Sequence, residues 1–354
     1  ITPDTTFTWT TNPYGQSFIS LPSNRTDISL NSFSGASSTI STVYDIDNNK
    51  YRVLLFTGPD TSFNVQNLGS GTGGCVNLCL IGGGGGGAGN ATSGGAGAGQ
   101  LMFVDNYLMP NGTYHISVGG GGAGGLAGAN NGSDGSPTVL TTGATTLFSS
   151  AEGKGGVAST AARNGMTGSY NIYPNPTNLP KGTSSAGGGN STSMTGGTGT
   201  TINYQDVIVP GINLPAQVWS YGYGGGNGNS SGVGYGGGGG GAGGPGLDAS
   251  SNSGGGGGKG VVIYFDSSYG RAVCGGGDGG GSTISYSSNL YNPNATNLYN
   301  YGYPTPYSYG AGTITPGPRD ASANTGSAGA PGNGSVAGGA GGSGLFMIRY
   351  KLYS

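Results

Sequence analysis

The chain has 354 residues, 84 of them glycine, so glycine makes up about 24% of the sequence against an ordinary usage of about 7%. The glycines occur in runs such as 82–87 and 236–241 without a G-X-Y register, which excludes a collagen triple helix, and recurrent apolar segments argue against disorder. Only 7% of the residues are charged, with 11 basic and 13 acidic side chains, so the sequence has no basic stripe for nucleic acid, and it has no apolar run of about 18 residues for a membrane span.

The first part of the chain differs from the rest in composition. Residues 1–67 contain only three glycines and are rich in Thr, Ser and Asn. Apolar and polar residues alternate from Ser38 to Tyr44, which predicts extended chain and edge strands rather than helix. We interpret residues 1–45 as an extended arm that joins the protein to its neighbours, and residues 46–354 as a glycine-rich β domain.

Short apolar segments separated by turn residues follow the arm. Pro110, Asn111 and Gly112 form a strong turn signal between two of them. Helices are nearly excluded, because only residues 36–57 form a stretch longer than about 12 residues without Gly or Pro, and that stretch is rich in β-branched residues. The sequence therefore predicts an all-β, sandwich-like core with essentially no helix. The first predicted strands are Tyr51–Thr57, Ser62–Gln66, Cys75–Ile81, Gln100–Val104 and Thr113–Val118.

The glycine tracts lie directly next to apolar strands, as Gly82 follows Ile81 and Gly119 follows Val118. Glycine loses the most backbone entropy on ordering and has no side chain to bury, so an ordered tract needs a compensating interaction. The polyglycine II arrangement supplies one, because left-handed threefold strands without Cβ atoms approach closely enough for N–H···O and Cα–H···O bonds. We expect polyglycine II-like strands and loops that extend the core, with flexible linkers as the alternative. Later predicted strands are Asp206–Val209, Val261–Phe265 and Leu345–Lys351.

Three inserts interrupt the glycine-rich domain, at residues 169–185, 203–223 and 282–318, and the last contains no charged residue. Tyrosine together with Asn, Ser and Gly is typical of binding surfaces that combine rigid amphipathic contacts with adaptable hydrogen bonds. The aromatic residues of these inserts either contact a glycan or protein receptor or pack between neighbouring copies. The predicted contact residues are Tyr286, Tyr291, Tyr299, Tyr301, Tyr303, Tyr307, Tyr309 and Trp219.

Catalytic and metal chemistry have little support in the sequence. A single histidine, His115, and a single glutamate, Glu152, leave few acid–base or metal-ligating groups, and strand alternation places His115 on the solvent side. In the nearest match to a phosphate-binding loop, glycine follows Lys259 where Ser or Thr would hold magnesium. We expect no enzyme activity, no cofactor and no metal. A secreted carbohydrate-acting enzyme is the alternative, and it would need two carboxylates about 5 to 9.5 Å apart.

The three cysteines, Cys75, Cys79 and Cys274, are too few for a disulfide scaffold. On one strand, Cys75 and Cys79 would face the same side about 13 Å apart, which is too far for a bridge. Two alternatives follow: buried free thiols, or a disulfide between Cys274 and one of the other two.

Eight Asn-x-Ser/Thr sequons occur, a number not significantly above chance for this composition. All lie in polar or turn contexts, where a glycan has room if the chain passes through a glycosylating compartment. The candidate acceptors are Asn24, Asn90, Asn111, Asn131, Asn190, Asn229, Asn294 and Asn333.

Three segments carry a resemblance to a known family. They run from Val76 to Gly89, from Asn111 to Gly125 and from Gly338 to Tyr350, and the last leads through Gly-Gly-Ser-Gly into an aliphatic strand that ends in Arg-Tyr. In these features the chain, over about residues 50–350, resembles the glycine-rich domain of viral appendage proteins, which occurs in phage tail fibres and tail-tip adhesins and in surface proteins of large DNA viruses. The resemblance implies a structural role on a virion or cell surface, with a glycine-rich body that presents variable loops to a host. It implies no catalytic residues.

Together these features predict a non-enzymatic structural protein of a virion surface or extracellular space, a fibre, tail adhesin or capsid decoration that displays loops for host attachment. Its expected partners are further copies of itself, other virion or surface structural proteins, and a host glycan or protein receptor, with no nucleic acid and no membrane span. The alternative is a subunit of an extracellular cell-surface filament or matrix.

Overall fold

The structure is a computed structural model of the chain. It describes residues 9–11, 17–19, 28–34, 39–46, 49–67, 75–128, 130–158, 164–166, 168–170, 184, 186–200, 202–207, 216–231, 234–264, 270–280, 284–285, 320–332 and 335–352. These residues form strands, turns and irregular segments, and none of them is helical.

Two antiparallel sheets form the body of the protein. The seven-stranded sheet has the spatial order β13 (Ile202–Val207), β14 (Ala216–Tyr221), β8 (Leu101–Leu108), β7 (Cys75–Ile81), β19 (Leu345–Leu352), β5 (Asn49–Phe56) and β4 (Thr39–Ile46). The six-stranded sheet has the order β12 (Ser169–Tyr170), β11 (Thr145–Ser150), β10 (Thr138–Thr142), β9 (Gly112–Ser117), β6 (Thr61–Asn67) and β3 (Ile28–Ser34). Small two-stranded pairs are β1 (Trp9–Thr11) with β2 (Ser17–Ile19), β16 (Val261–Tyr264) with β17 (Gly270–Val273), and β15 (Gly254–Gly255) with β18 (Ile284–Ser285).

The two sheets pack face to face around one apolar core. In β9 the alternation places Tyr114 and Ile116 in the core and leaves His115 on the outer, exposed face. Aromatic rings from both sheets meet between the layers: the ring centroids of Phe56 and Phe63 are 5.7 Å apart, and Phe63 stacks on Tyr114 at 5.5 Å. The core therefore joins the two sheets into a β-sandwich, as the sequence predicts.

A second apolar cluster covers part of the outer face of the seven-stranded sheet. Cys79, Ile81 and Met347 point outward from the central strands β7 and β19, and Ile263 and Val273 of the β16–β17 hairpin pack with them. Coverage of both faces explains why β7 is apolar at every position from Leu78 to Ile81 rather than at alternate positions.

Many strands of the sandwich continue as glycine tracts at one end. β7, β9, β11 and β14 run into such tracts, and tracts lead into β8, β10 and β19. Because neighbouring strands are antiparallel, these junctions all lie at the same end of the sandwich. We call the bundle formed by the tracts between residues 82 and 344 the glycine array.

Residues 82–89, the first central strand, show how the array is organised. Backbone N–H groups three residues apart donate to the same neighbouring strand, as when Gly83 donates to Ser136 at 2.9 Å and Gly86 donates to Ser133 at 2.9 Å. The three strands that accept hydrogen bonds from it run through residues 97–100, 130–136 and 339–342. The three that donate to it run through residues 122–125, 153–156 and 329–332. Six neighbours and a repeat of three residues define polyglycine II packing, as the sequence predicts.

Residues 236–242 form a second central strand with the same pattern. Gly236, Gly239 and Ala242 donate in turn to Gly280, Gly277 and Cys274. Further neighbours on its other sides run through residues 95–98, 186–189, 226, 244–247 and 255–258. The array is therefore a continuous threefold lattice around two central strands.

Close packing explains why these positions are glycine. A Cβ atom on Gly83, Gly86 or Gly239 would overlap the carbonyl oxygen of a neighbouring strand, Gly120, Ala123 or Ala96 respectively, far inside the closest approach that carbon makes to oxygen. One net hydrogen bond of about 1 kcal/mol per residue roughly balances an ordering entropy of about 1–2 kcal/mol per residue. The lattice therefore needs the apolar core of the sandwich to anchor its strand ends.

Some predicted elements differ from the structure in detail. Within residues 1–45, which we interpret as an arm, β3 pairs with β6 in one sheet and β4 pairs with β5 in the other, so the strand pairing of the body already begins at Ile28. The strand predicted at Asp206–Val209 begins earlier, as Ile202–Val207, and pairs antiparallel with β14 at the edge of the seven-stranded sheet. Turn propensity in the sequence does not predict where such edge strands begin, because their limits depend on the strands with which they pair.

Candidate functional site

The far end of the glycine array carries a group of chain reversals, which we call the distal turns. They lie at residues 90–93, 126–128, 190–193 and 250–253 and between the paired residues Asn229 and Tyr235. Hydrogen bonds tie neighbouring turns together: the Gly89 N–H donates to Asn130 at 2.9 Å, and the Ser191 N–H donates to Thr92 at 3.3 Å. The turns therefore form one surface at the end opposite to the sandwich.

The tyrosine-rich insert 282–318 is attached to this surface. The Gly280 N–H, just before the insert, donates to the Ser93 carbonyl of a distal turn at 2.7 Å. Ile284 and Ser285 then form β18, which pairs in parallel with Gly254 and Gly255 next to another distal turn. The predicted contact residues Tyr286, Tyr291, Tyr299, Tyr301, Tyr303, Tyr307 and Tyr309 lie outside the described residues.

Trp219, the eighth predicted contact residue, lies elsewhere. It is on β14 opposite Phe103 of β8, on the outer face of the seven-stranded sheet, because its neighbour Val218 points into the core. Only 6% of its surface is exposed in the single chain. The structure therefore does not bring Trp219 together with the distal turns, and its role in binding stays a prediction.

The other two inserts also join the sandwich rather than the distal turns. Residues 203–223 supply most of the β13–β14 hairpin, and the start of insert 169–185 forms β12, which pairs with β11. Only insert 282–318 is thus connected to the distal surface through described residues.

Asp and Asn side chains terminate the lattice at its edges. The Oδ1 atom of Asp134 accepts from the Gly155 N–H at 2.9 Å, and that of Asn131, three residues earlier, accepts from the Ala158 N–H at 2.7 Å. Both side chains take the place of a backbone carbonyl that a further strand would supply. The other side chains in this role are Asn164, Asn227, Asp248, Asp278 and Asp320, which accept from Thr198, Gly196, Asn227, Gly257 and Ala340 respectively.

These edge caps are residues that our sequence reasoning missed. The signal was present, because the chain has 12 Asp but only one Glu. A short Asx side chain mimics a backbone carbonyl, whereas the extra methylene of Glu carries the oxygen too far. The single glutamate has a different role: with Asp134 it flanks the buried Lys154, whose Nζ is 2.7 Å from Asp134 Oδ2 and 3.3 Å from Glu152 Oε1.

The sequons differ in accessibility. Asn111, in the turn before β9, and Asn131, beside a distal turn, are exposed. Asn190 is fully buried, and its Oδ1 accepts from the Thr192 and Ser193 N–H groups in a distal turn. Asn90 and Asn229 are partly buried in other distal turns. Asn24, Asn294 and Asn333 lie outside the described residues.

Cys79 and Cys274 are free thiols that lie fully buried in the same apolar cluster on the outer face of the seven-stranded sheet. Burial raises the pKa of both thiols, and the proximity of Cys274 raises that of Cys79 further. Cys75 and Cys79 lie on the same strand, β7, which is the arrangement in which we expect them to be too far apart for a disulfide. Cys79 and Cys274 are thus buried free thiols in this structure.

Within the described part of the chain, no group of three or more His, Cys, Asp or Glu side chains is placed to bind a metal ion. The same residues include no helix with the length and apolar character that crossing a membrane requires.

No family model matches the chain, and no curated protein is significantly similar to it in sequence.

Proposed function

We propose that the chain is a structural protein of a virion surface, a fibre, tail adhesin or capsid decoration, that displays loops for attachment to a host. The observation that carries the proposal is that the two ends of the molecule differ. The sandwich lies at one end, and the glycine array holds the distal turns and the start of the tyrosine-rich insert at the other.

The lattice suits such a display for a physical reason. Each distal turn connects two strands whose backbones are hydrogen-bonded to several neighbours, so its ends are held before any ligand arrives. Binding then costs less ordering entropy than binding by a loop on a flexible stalk. Exposed turn residues such as Leu126 and Asn252 lie outside the close-packed interior, so their sequence can change without placing a Cβ atom between strands.

The chemistry of the surface also fits attachment. With 7% charged residues, the chain relies on hydroxyl, amide and aromatic groups rather than on charge, and the tyrosine-rich insert follows directly from a described distal strand pair. Such groups bind glycans and protein surfaces through adaptable hydrogen bonds and rigid aromatic contacts.

Electron microscopy of the native source material tests the proposal. We expect copies in a closed oligomer on a particle, with the distal turns directed outward. A continuous helical array with the distal turns buried between subunits would contradict it and would support the alternative, a subunit of an extracellular filament or matrix.

A further inference from the structure

A groove of about 470 Å³ lies on the outer face of the six-stranded sheet, next to the point where β9 enters the glycine array. Strand register arranges its side chains in two rows. Ser62, His115 and Thr141 lie opposite one another on β6, β9 and β10. Ser117 lies opposite Val139 in the next row, and Asp60, just before β6, borders it. Directly opposed side chains have Cβ atoms about 4.5–5.5 Å apart, so the rows form one continuous surface.

The groove has a distinct hydrogen-bonding character. Ser117 and Thr141 each present a hydroxyl that both donates and accepts, and the imidazole of His115 adds two ring nitrogens that can hydrogen-bond. The side-chain oxygens of Asp60 add acceptors at the border of the groove.

The side chains of the groove also restrict the class of ligand that it can bind. Among the described residues that line the groove, none is Lys or Arg, which would neutralise an anion, and none is Phe, Tyr or Trp. One carboxylate is too few for a cation site. A ligand with many hydroxyl groups, no net charge and one or two sugar rings matches both the polar groups and the volume, which is within the usual range for small-molecule sites.

We propose that this groove binds a neutral saccharide of one or two sugar residues. The proposal deepens the attachment function proposed above, on which it rests for its biological role, by naming a ligand class and a second surface distinct from the distal turns. His115 and Ser117 are expected to hydrogen-bond the sugar hydroxyls, and Val139 supplies an apolar contact for a sugar face.

The test uses the full chain on a printed array of neutral oligosaccharides built from hexoses, deoxyhexoses and N-acetylhexosamines, with sialylated and sulfated counterparts. We expect retention of at least one neutral glycan. His115→Ala should weaken that binding about tenfold through the loss of hydrogen bonds, and Ser117→Arg, at an exposed position, should abolish it by filling the groove. Ala144→Arg, an equal charge change in the exposed β10–β11 turn, is the matched control and should bind like the parent chain.

Two results would overturn the inference: no neutral glycan retained, or binding that Ser117→Arg and His115→Ala leave unchanged. Its failure is distinguishable from failure of the proposed function. Host adhesion that persists in Ser117→Arg refutes the groove as the attachment site while attachment stands. Groove-dependent glycan binding by a protein that microscopy places in a filament refutes the virion role while the groove stands.

Discussion

At the scale of single residues, two rules describe the glycine array. Interior positions are glycine because a Cβ atom would meet a neighbouring carbonyl, as at Gly86. Edge positions carry Asp or Asn because a short side chain supplies the carbonyl that no further strand provides, as Asp278 does for Gly257. Both rules concern the backbone of a neighbour rather than the conformational preference of the residue itself.

The first rule predicts opposite effects for two nearby glycines. Gly86→Ala should destabilise the protein by at least about 3 kcal/mol, because the new methyl group is forced onto the Ala123 carbonyl in a buried position. Gly120→Ala is the matched control, since nothing lies within 4 Å of its Cβ position. It should be neutral or stabilising by up to about 1 kcal/mol, because alanine restricts the unfolded chain. Denaturant unfolding measures both, and equal stability of the two variants would refute the packing.

The second rule separates the geometry of a side chain from its charge. Asp278→Asn keeps an Oδ1 atom for the Gly257 N–H and should change stability by less than about 0.5 kcal/mol. Asp278→Ala leaves that partly buried N–H without its acceptor and should cost about 1–2 kcal/mol. Thermal melting of the two variants checks this. An Asn variant as unstable as the Ala variant would show that the charge, not the cap, matters.

At the scale of elements, many strands of the sandwich continue directly as strands of the array, so one chain segment is pleated in its first part and threefold in the other, or the reverse. β7 ends at Ile81, and the next residues continue in the same direction as the first central strand of the array. The change occurs where side chains give way to glycine, because pleated pairing needs side chains to bury while threefold packing needs their absence. The sequence predicts these junctions well, since they coincide with sharp changes in composition.

Truncation tests where the body begins. Removal of residues 1–27 leaves β3 and β4 in place and should keep the melting temperature of the full chain. Removal of residues 1–45 takes away β3 and nearly all of β4, so both sheets lose an edge strand, and we expect a lower melting temperature or aggregation through the newly exposed edges. If the chain that lacks residues 1–45 melts like the full one, β3 and β4 do not stabilise the body. Failure of the 28–354 chain to assemble would support an assembly role for the first residues.

Burial of tyrosine in the sandwich core predicts alkaline unfolding. Desolvation raises the pKa of Tyr107 to about 12, against an ordinary value near 10. The folded state thus favours the protonated phenol, so its contribution to stability is complete below about pH 10 and is lost as the pH rises towards 12. Melting temperatures measured across this range should fall less steeply in Tyr107→Phe than in the parent chain. Parallel pH profiles would contradict the prediction.

At the scale of the whole molecule, the packing of each region decides which sequons can carry a glycan. Asn111 lies near the sandwich and Asn131 near the distal turns, and both are exposed, whereas Asn190 is buried within a distal turn. In protein from a glycosylating source, glycopeptide mass spectrometry should find any glycan at the exposed sequons and none at Asn190, because a glycan there has no path to solvent. An occupied Asn190 would contradict the described packing of that turn.

Particular residues show where sequence reasoning reached its limit. Strand alternation correctly placed His115 on the outer face of its strand. It did not place the partners across β6 and β10, which depend on pairings between segments about 50 and 25 residues away along the chain. The Asx caps were missed for the same reason, since Asp278 and Gly257 become neighbours only when β16 pairs antiparallel with β17. The exposed or buried state of Trp219 depends likewise on strand order, because only pairing with β8 places it opposite Phe103.

Composition and local pattern alone indicated that this protein is all-β and that its glycine tracts begin where apolar strands end, and they favoured threefold packing of the tracts over flexible linkers. These properties follow from the absence of Cβ atoms and from short-range alternation, both of which are local. Only the tertiary structure decided which tracts are central, which Asp and Asn side chains end the lattice, and which turns share one surface. Those properties arise from contacts between segments far apart in the chain, and in a sequence with this much glycine many pairings are chemically equivalent until the anchoring sandwich selects one.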